Sequence, residues 1–164
     1  MSTDIFEFLD AHGIAYERHD HEAVFTVEAQ DAIQAHINGI KTKNLFLRDQ
    51  PGKRHVLIVA GARKAVDLKA AGDMIGAKRL GFASAERMAK HLGVTPGAVS
   101  VFGLVNDSGR AVELIMDRDV WESELVRAHP LVNTSTIVVT KEGLRSFLKA
   151  TGHEPLVIDL PDQA

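Results

Sequence analysis

Two short apolar runs, Asn44-Leu45-Phe46-Leu47-Arg48 and His55-Val56-Leu57-Ile58-Val59-Ala60, stand either side of Asp49-Gln50-Pro51-Gly52. Runs of this length, bounded by a Pro-Gly turn signal, predict two strands joined by a short loop. This hairpin is the clearest structural signal in the chain, and any fold must accommodate it.

The remaining segments alternate between the two periodicities. Ile5, Phe6, Phe8 and Leu9 predict a helix over Ser2 to His12 ended by Gly13. An extended stretch follows over Ile14 to His19, and Thr26 then caps a predicted helix running to Ile37, closed by Asn38-Gly39. After the hairpin, Asp67 to Ile75 reads as a helix, Lys78 to Phe82 as extended, and Ser84 as the cap of a helix ended by Gly93. Val99 to Val105 and Ala111 to Met116 read as a second hairpin across the turn Asn106-Asp107-Ser108-Gly109. A helix containing Trp121, Leu125 and Val126 is expected to stop near His129-Pro130, because the residue before a proline is pushed out of helical geometry. Thr134 to Val139 predicts a strand, Lys141 to Lys149 a helix and Pro155 to Leu160 a last strand. Hairpins argue against a purely parallel sheet and scattered helices against a sandwich. The expected fold class is therefore α+β, a single domain over residues 1–164 with a mixed, mainly antiparallel, barrel-like sheet surrounded by helices.

With 164 residues and 45% hydrophobic content the chain is long enough for one substantial core. The absence of cysteine excludes disulfides, thiolate metal sites and cysteine nucleophiles. The N-terminus is acidic where a secretory signal would be basic, and no apolar run approaches bilayer length. A cytoplasmic protein without a membrane partner is expected. The net charge of −3 conceals an asymmetry: residues 41–90 hold 12 Lys and Arg against 4 Asp and Glu, and the remainder 7 against 18. Such clustering suits a polyanion, although solvated helix faces carry the same composition.

No phosphate-loop pattern, GxSxG elbow or HExxH occurs, and the eight histidines, His12, His19 and His21 included, make no convincing metal set. Metal-independent chemistry without a cofactor is expected. Lys41-Thr42-Lys43-Asn44 stands at the entrance of the first hairpin strand, where a cation and an amide could face a pocket or merely guard an edge. His129-Pro130 could likewise end a helix or present an imidazole. Gly93-Val94-Thr95-Pro96-Gly97 could be a tight connection or a loop whose backbone meets a ligand.

The segments KTKNLFLRD, HVLIVAG, GVTPGAVSVFGLVND and HPLVNTSTI, in this order and spacing, resemble the signature regions of the bacterial prolyl-tRNA editing family, the YbaK-like aminoacyl-tRNA deacylases. Within it the chain is most similar to the freestanding alanyl-tRNA(Pro) deacylase branch, ProXp-ala or PrdX, over nearly its whole length. The resemblance implies hydrolysis of the ester in mischarged Ala-tRNA(Pro), releasing alanine and free tRNA. Lys43 takes the signature lysine position, Asn44 follows it as in the alanine-editing branch, and His129 falls in the HP-containing region. Those three are the implied catalytic side chains, in a path that needs no covalent nucleophile and leaves room for help from the ribose hydroxyl. Gly97, Phe46 and Val59 are the implied substrate-binding or supporting residues.

Lys41, Lys64, Lys69, Lys78 and Arg79 become candidates for the tRNA backbone. A tight pocket would exclude proline by its ring, reversing the size test of a synthetic site. The implied partner is mischarged tRNA, with room for transient association with prolyl-tRNA synthetase. A deacylase for Cys- or Ser-tRNA and a noncatalytic tRNA-binding or synthetase-associated module remain alternatives.

Overall fold

The computed structural model describes residues 4–22 and 37–163. The helix expected from Thr26 lies outside the described residues, except for its last position, Ile37, which is buried.

In the described chain the elements run α1 (Ile5–Ala11), β1 (Glu17–Asp20), β2 (Thr42–Arg48), β3 (His55–Gly61), α2 (Leu68–Ile75), β4 (Gly81–Phe82) and α3 (Ala85–Leu92). Two 3₁₀ turns follow, Pro96–Ala98 and Val101–Asn106, then β5 (Val112–Asp117), α4 (Arg118–Trp121), β6 (Leu125–Ala128), β7 (Ser135–Thr140), α5 (Lys141–Thr151) and β8 (Leu156–Ile158). Local chemistry explains the helix ends. Asp4, Asp67, Ser84 and Thr140 each accept a hydrogen bond from a first-turn amide, and α2, α3 and α5 stop at Gly76, Gly93 and Gly152 in left-handed conformation.

The strands form two sheets. One has the order β1-β7-β6 and is antiparallel; the other, β4-β2-β3-β5-β8, is mixed, with β2–β3 and β2–β4 antiparallel and β3–β5 and β5–β8 parallel. The α+β class and the mainly antiparallel pairing agree with expectation. The sheets do not close into a barrel; they meet at a parallel bridge between Ile40, just before β2, and Val126 of β6.

β3 is the central strand and is buried along almost its whole length. Its alternation feeds two cores. Leu57 and Val59 join Phe46, Leu114, Met116 and Ile137 on the side covered by α3, α5 and the three-stranded sheet. Val56, Ile58 and Ala60 join Leu47, Ala71, Ile115 and Leu160 on the side covered by α2.

Two expectations are corrected. The run Val99 to Val105 is not a strand: Val101–Asn106 is 3₁₀, begun by Ser100 Oγ accepting from Phe102 N at 3.2 Å. Gly103 lies so close to α3 that a Cβ would stand 2.9 Å from Leu92 Cβ. Helix packing thus overrides the strand propensity of the run, and β5 pairs in parallel with β3 instead of forming a second hairpin. Nor do Trp121 and Val126 share a helix, since α4 ends at Trp121 and Leu125–Ala128 pair with β7.

Candidate active site

The hairpin register places Thr42 opposite Gly61, Lys43 opposite Ala60 and Asn44 opposite Val59. These residues open β2 beside the junction of the two sheets. Thr42 Oγ1 donates to the Arg127 carbonyl at 2.7 Å, and Ala62 N donates to the Lys41 carbonyl at 2.9 Å. The strand entrance is thereby tied to β6 on one side and to the turn after β3 on the other.

A cleft of about 280 Å³ opens over this junction. Lys41, Lys43, Asn44, Arg63, Gly97 and His129 line it, with Thr42, Ala62, Pro96 and Val99 completing the wall. Three of these side chains are cationic and, among the described residues that line the cleft, none is acidic, which favours an anionic ligand. Asn44 Oδ1 is buried and has no hydrogen-bond partner among the described residues. Such an acceptor is costly unless a ligand donor meets it.

His129 follows β6, half-buried, and its ring is oriented from behind. Nδ1–H donates to the Ser135 carbonyl at 2.9 Å, which leaves Nε2 as the acceptor. Burial lowers its pKa, the Ser135 bond opposes that shift, and the nearby His21 adds to the lowering. The balance favours the neutral imidazole. His21 stands with its ring 6.4 Å from that of His129 and its Nε2 2.8 Å from Thr136 Oγ1.

The structure brings Lys43, Asn44, His129, Gly97 and Lys41 to one cleft and keeps the other candidates apart. Phe46 and Val59 are each 1% exposed and belong to the core rather than the cleft wall. Lys64 is withdrawn from the polyanion set by an ion pair with Asp117 at 2.9 Å. Lys69, Lys78 and Arg79 line a different, open cleft with Gln50 and Asp73. Arg63 and Ala62 were missed by sequence reasoning, Thr42 was noted only as part of the strand entrance, and His21 was weighed only as a metal ligand. The hairpin register could have found Ala62 and Arg63, because pairing through Gly61 delivers the next two residues to the strand entrance. Nothing local to His21 pointed to His129, since the neighbour that holds it there, Thr136, is 115 residues away. Among the described residues no group of three or more His, Asp or Glu could hold a metal ion.

The sequence profile of the aminoacyl-tRNA editing domain matches residues 21–147. The chain is 39% identical over 152 residues to the prolyl-tRNA editing protein ProX of Acetoanaerobium sticklandii, covering 93% of each. The chain belongs to the aminoacyl-tRNA editing family. It is also 30% identical over 163 residues to the prolyl-tRNA synthetase associated domain-containing protein 1 of Mus musculus, covering 97% of this chain and 96% of the other. A crystal structure of a candidate trans-editing enzyme for prolyl tRNA synthetase shares its fold, with a TM-score of 0.72, 20% identity and 99% coverage of both chains. As an editing domain the protein is an aminoacyl-tRNA deacylase. No helix among the described residues is long and apolar enough to cross a membrane.

Proposed function

We propose that residues 1–164 act as one cytoplasmic trans-editing domain that hydrolyses the ester of mischarged Ala-tRNA(Pro), with Lys43, Asn44 and His129 as its catalytic residues. The observation that carries the reading is the convergence of these three side chains on a cleft whose described lining holds cations and no carboxylate. The ProX and synthetase-associated relatives support prolyl-tRNA as the substrate class.

In this reading water adds to the ester carbonyl carbon, the bond to the ribose oxygen breaks, and a proton passes to that oxygen. Lys43, with Arg63 and Lys41, holds the phosphates of the 3′ end so that the ester meets the cleft floor. Asn44 supplies an amide acceptor for the α-ammonium or a ribose hydroxyl. Neutral His129 offers Nε2 to the attacking water or to the ribose hydroxyl that orients it. Gly97 leaves backbone exposed to the aminoacyl group without a side chain in the way. Lys69, Lys78 and Arg79 engage the tRNA backbone further along, and contact with prolyl-tRNA synthetase is transient.

The test is time-resolved deacylation of Ala-tRNA(Pro), with Pro-tRNA(Pro), Ser-tRNA and Cys-tRNA alongside. Fast release of alanine with little release of the others is expected. Faster release of serine or cysteine would reassign the substrate, and saturable tRNA binding without cleavage would overturn the catalytic reading.

A further inference from the structure

An ion pair between a buried carboxylate and a partly exposed lysine serves no part of the mechanism above. Asp117, the last residue of β5, is 1% exposed. Its Oδ2 lies 2.9 Å from Lys64 Nζ, off hydrogen-bond angles, so the contact is ionic; its Oδ1 accepts from Leu160 N at 3.1 Å. Lys64 Nζ also donates to the Leu160 carbonyl at 3.1 Å. The chain after Leu160 then runs antiparallel to the segment after Lys64. Asp67 N donates to the Pro161 carbonyl at 2.9 Å, Gln163 N to the Ala65 carbonyl at 2.7 Å, and Ala65 N to Asp162 Oδ1 at 3.2 Å. Residues 64–67 are thus strapped on one side, while Ala62 N is bound to the Lys41 carbonyl on the other.

We propose that Lys64, Asp117 and the strap at residues 160–163 are positioning residues that hold the turn after β3 so that Arg63 meets a phosphate of the substrate in the cleft. The proposal rests on the reading of that cleft as the editing site. An ion pair with a buried carboxylate adds little net stability, because the cost of desolvating that charge offsets much of the attraction. What it supplies is a defined separation between β5 and the turn. Lys64 is one peptide from Arg63, the cation on the cleft wall contributed by the turn. The core beneath can remain intact while the wall shifts. A shift of that kind weakens binding of a phosphate and leaves the ester chemistry at Lys43, Asn44 and His129 in place.

The double variant Lys64→Met with Asp117→Asn removes both charges and keeps an acceptor for Leu160 N. Asp162→Ala deletes only the exposed bond to Ala65 and does not threaten folding. Hydrogen exchange should quicken at the amides of 62–67 in both variants, with β2 and β3 unchanged. In steady-state deacylation the double variant should raise KM roughly tenfold, the worth of one charge-assisted bond, with kcat within about twofold of the starting protein. Arg63→Gln should match that loss, and the three changes together should be no worse than either alone. Unchanged exchange at 62–67 in both variants, or KM losses that multiply, would overturn the strap. An inactive starting protein would instead sink the editing reading, and the exchange data would still decide the strap.

Discussion

At Asn44 the interests of folding and of chemistry separate. Its buried Oδ1, without a partner among the described residues, carries a cost of about 1–3 kcal/mol. Asn44→Ala is expected to leave the melting temperature unchanged or slightly raised while cutting turnover of Ala-tRNA(Pro) by about a hundredfold; a calorimetric melt beside the deacylation assay checks both. His129 makes a pH-dependent prediction. Its folded pKa lies below the ordinary 6.5, so between the two values the unfolded chain binds more protons than the folded one. The stability it contributes is full above 6.5 and is lost as pH falls through the folded value. Deacylation should decline on the same acid limb as Nε2 is protonated, and His129→Gln should flatten that limb. Lys43, Asn44 and His129 were singled out by the resemblance of their segments to the editing family, because the local signals beside them, a strand entrance and a proline, fit a structural role equally well. Arg63 had no such marker, and Lys64, one residue on, was misassigned because its buried partner lies in another strand.

Helix α3 shows how an element is secured against the sheet. Arg87 Nη1 reaches the Gly52 carbonyl at 3.1 Å and His55 Nε2 at 2.7 Å, and the His55 and His91 rings lie 4.1 Å apart. Burial lowers the pKa of both histidines; each has Arg87 and Lys90 beside it, and His91 depresses His55 further. This contact is therefore fully stabilising above 6.5 and weakens as pH falls below it. Denaturant midpoints measured between neutral pH and about pH 5 should drop, and less so in His91→Leu. At the C-terminal end of α3, Gly103→Ala would drive a Cβ to 2.9 Å from Leu92 Cβ and 3.2 Å from the Leu92 carbonyl. A loss of about 1–3 kcal/mol is expected from the same denaturant titration. The ends of α3 were readable as Ser84 and Gly93, whose capping chemistry is local. The 3₁₀ segment 101–106 was not, because its conformation is dictated by the helix it packs against.

Across the whole molecule, the twelve cations of residues 41–90 do not form one surface: Lys41, Lys43 and Arg63 line the Lys43 cleft, Lys69, Lys78 and Arg79 line a separate one, Lys64 and Arg54 pair with Asp117 and Glu113, and Arg87 bonds Gly52 and His55. KM for Ala-tRNA(Pro) should rise with salt, and Lys78→Gln with Arg79→Gln should raise it at low salt and reduce the logarithmic salt slope by roughly one per charge removed. Their kcat should stay near the starting value, since neither residue lines the Lys43 cleft. A salt titration of initial rates checks both statements. The sequence alone determined the α+β class, the hairpin that becomes β2 and β3 and the ends of most helices among the described residues, because each depends on periodicity or capping within a few neighbouring residues; Lys43, Asn44 and His129 were proposed through the family resemblance of their segments. Tertiary structure decided the rest: that two sheets meet at Ile40 and Val126 without closing, that β5 joins β3 in parallel, and that Lys64 faces Asp117 instead of solvent. Those outcomes turn on which distant segments share a face, and they are set by burying two cores on either side of one central strand.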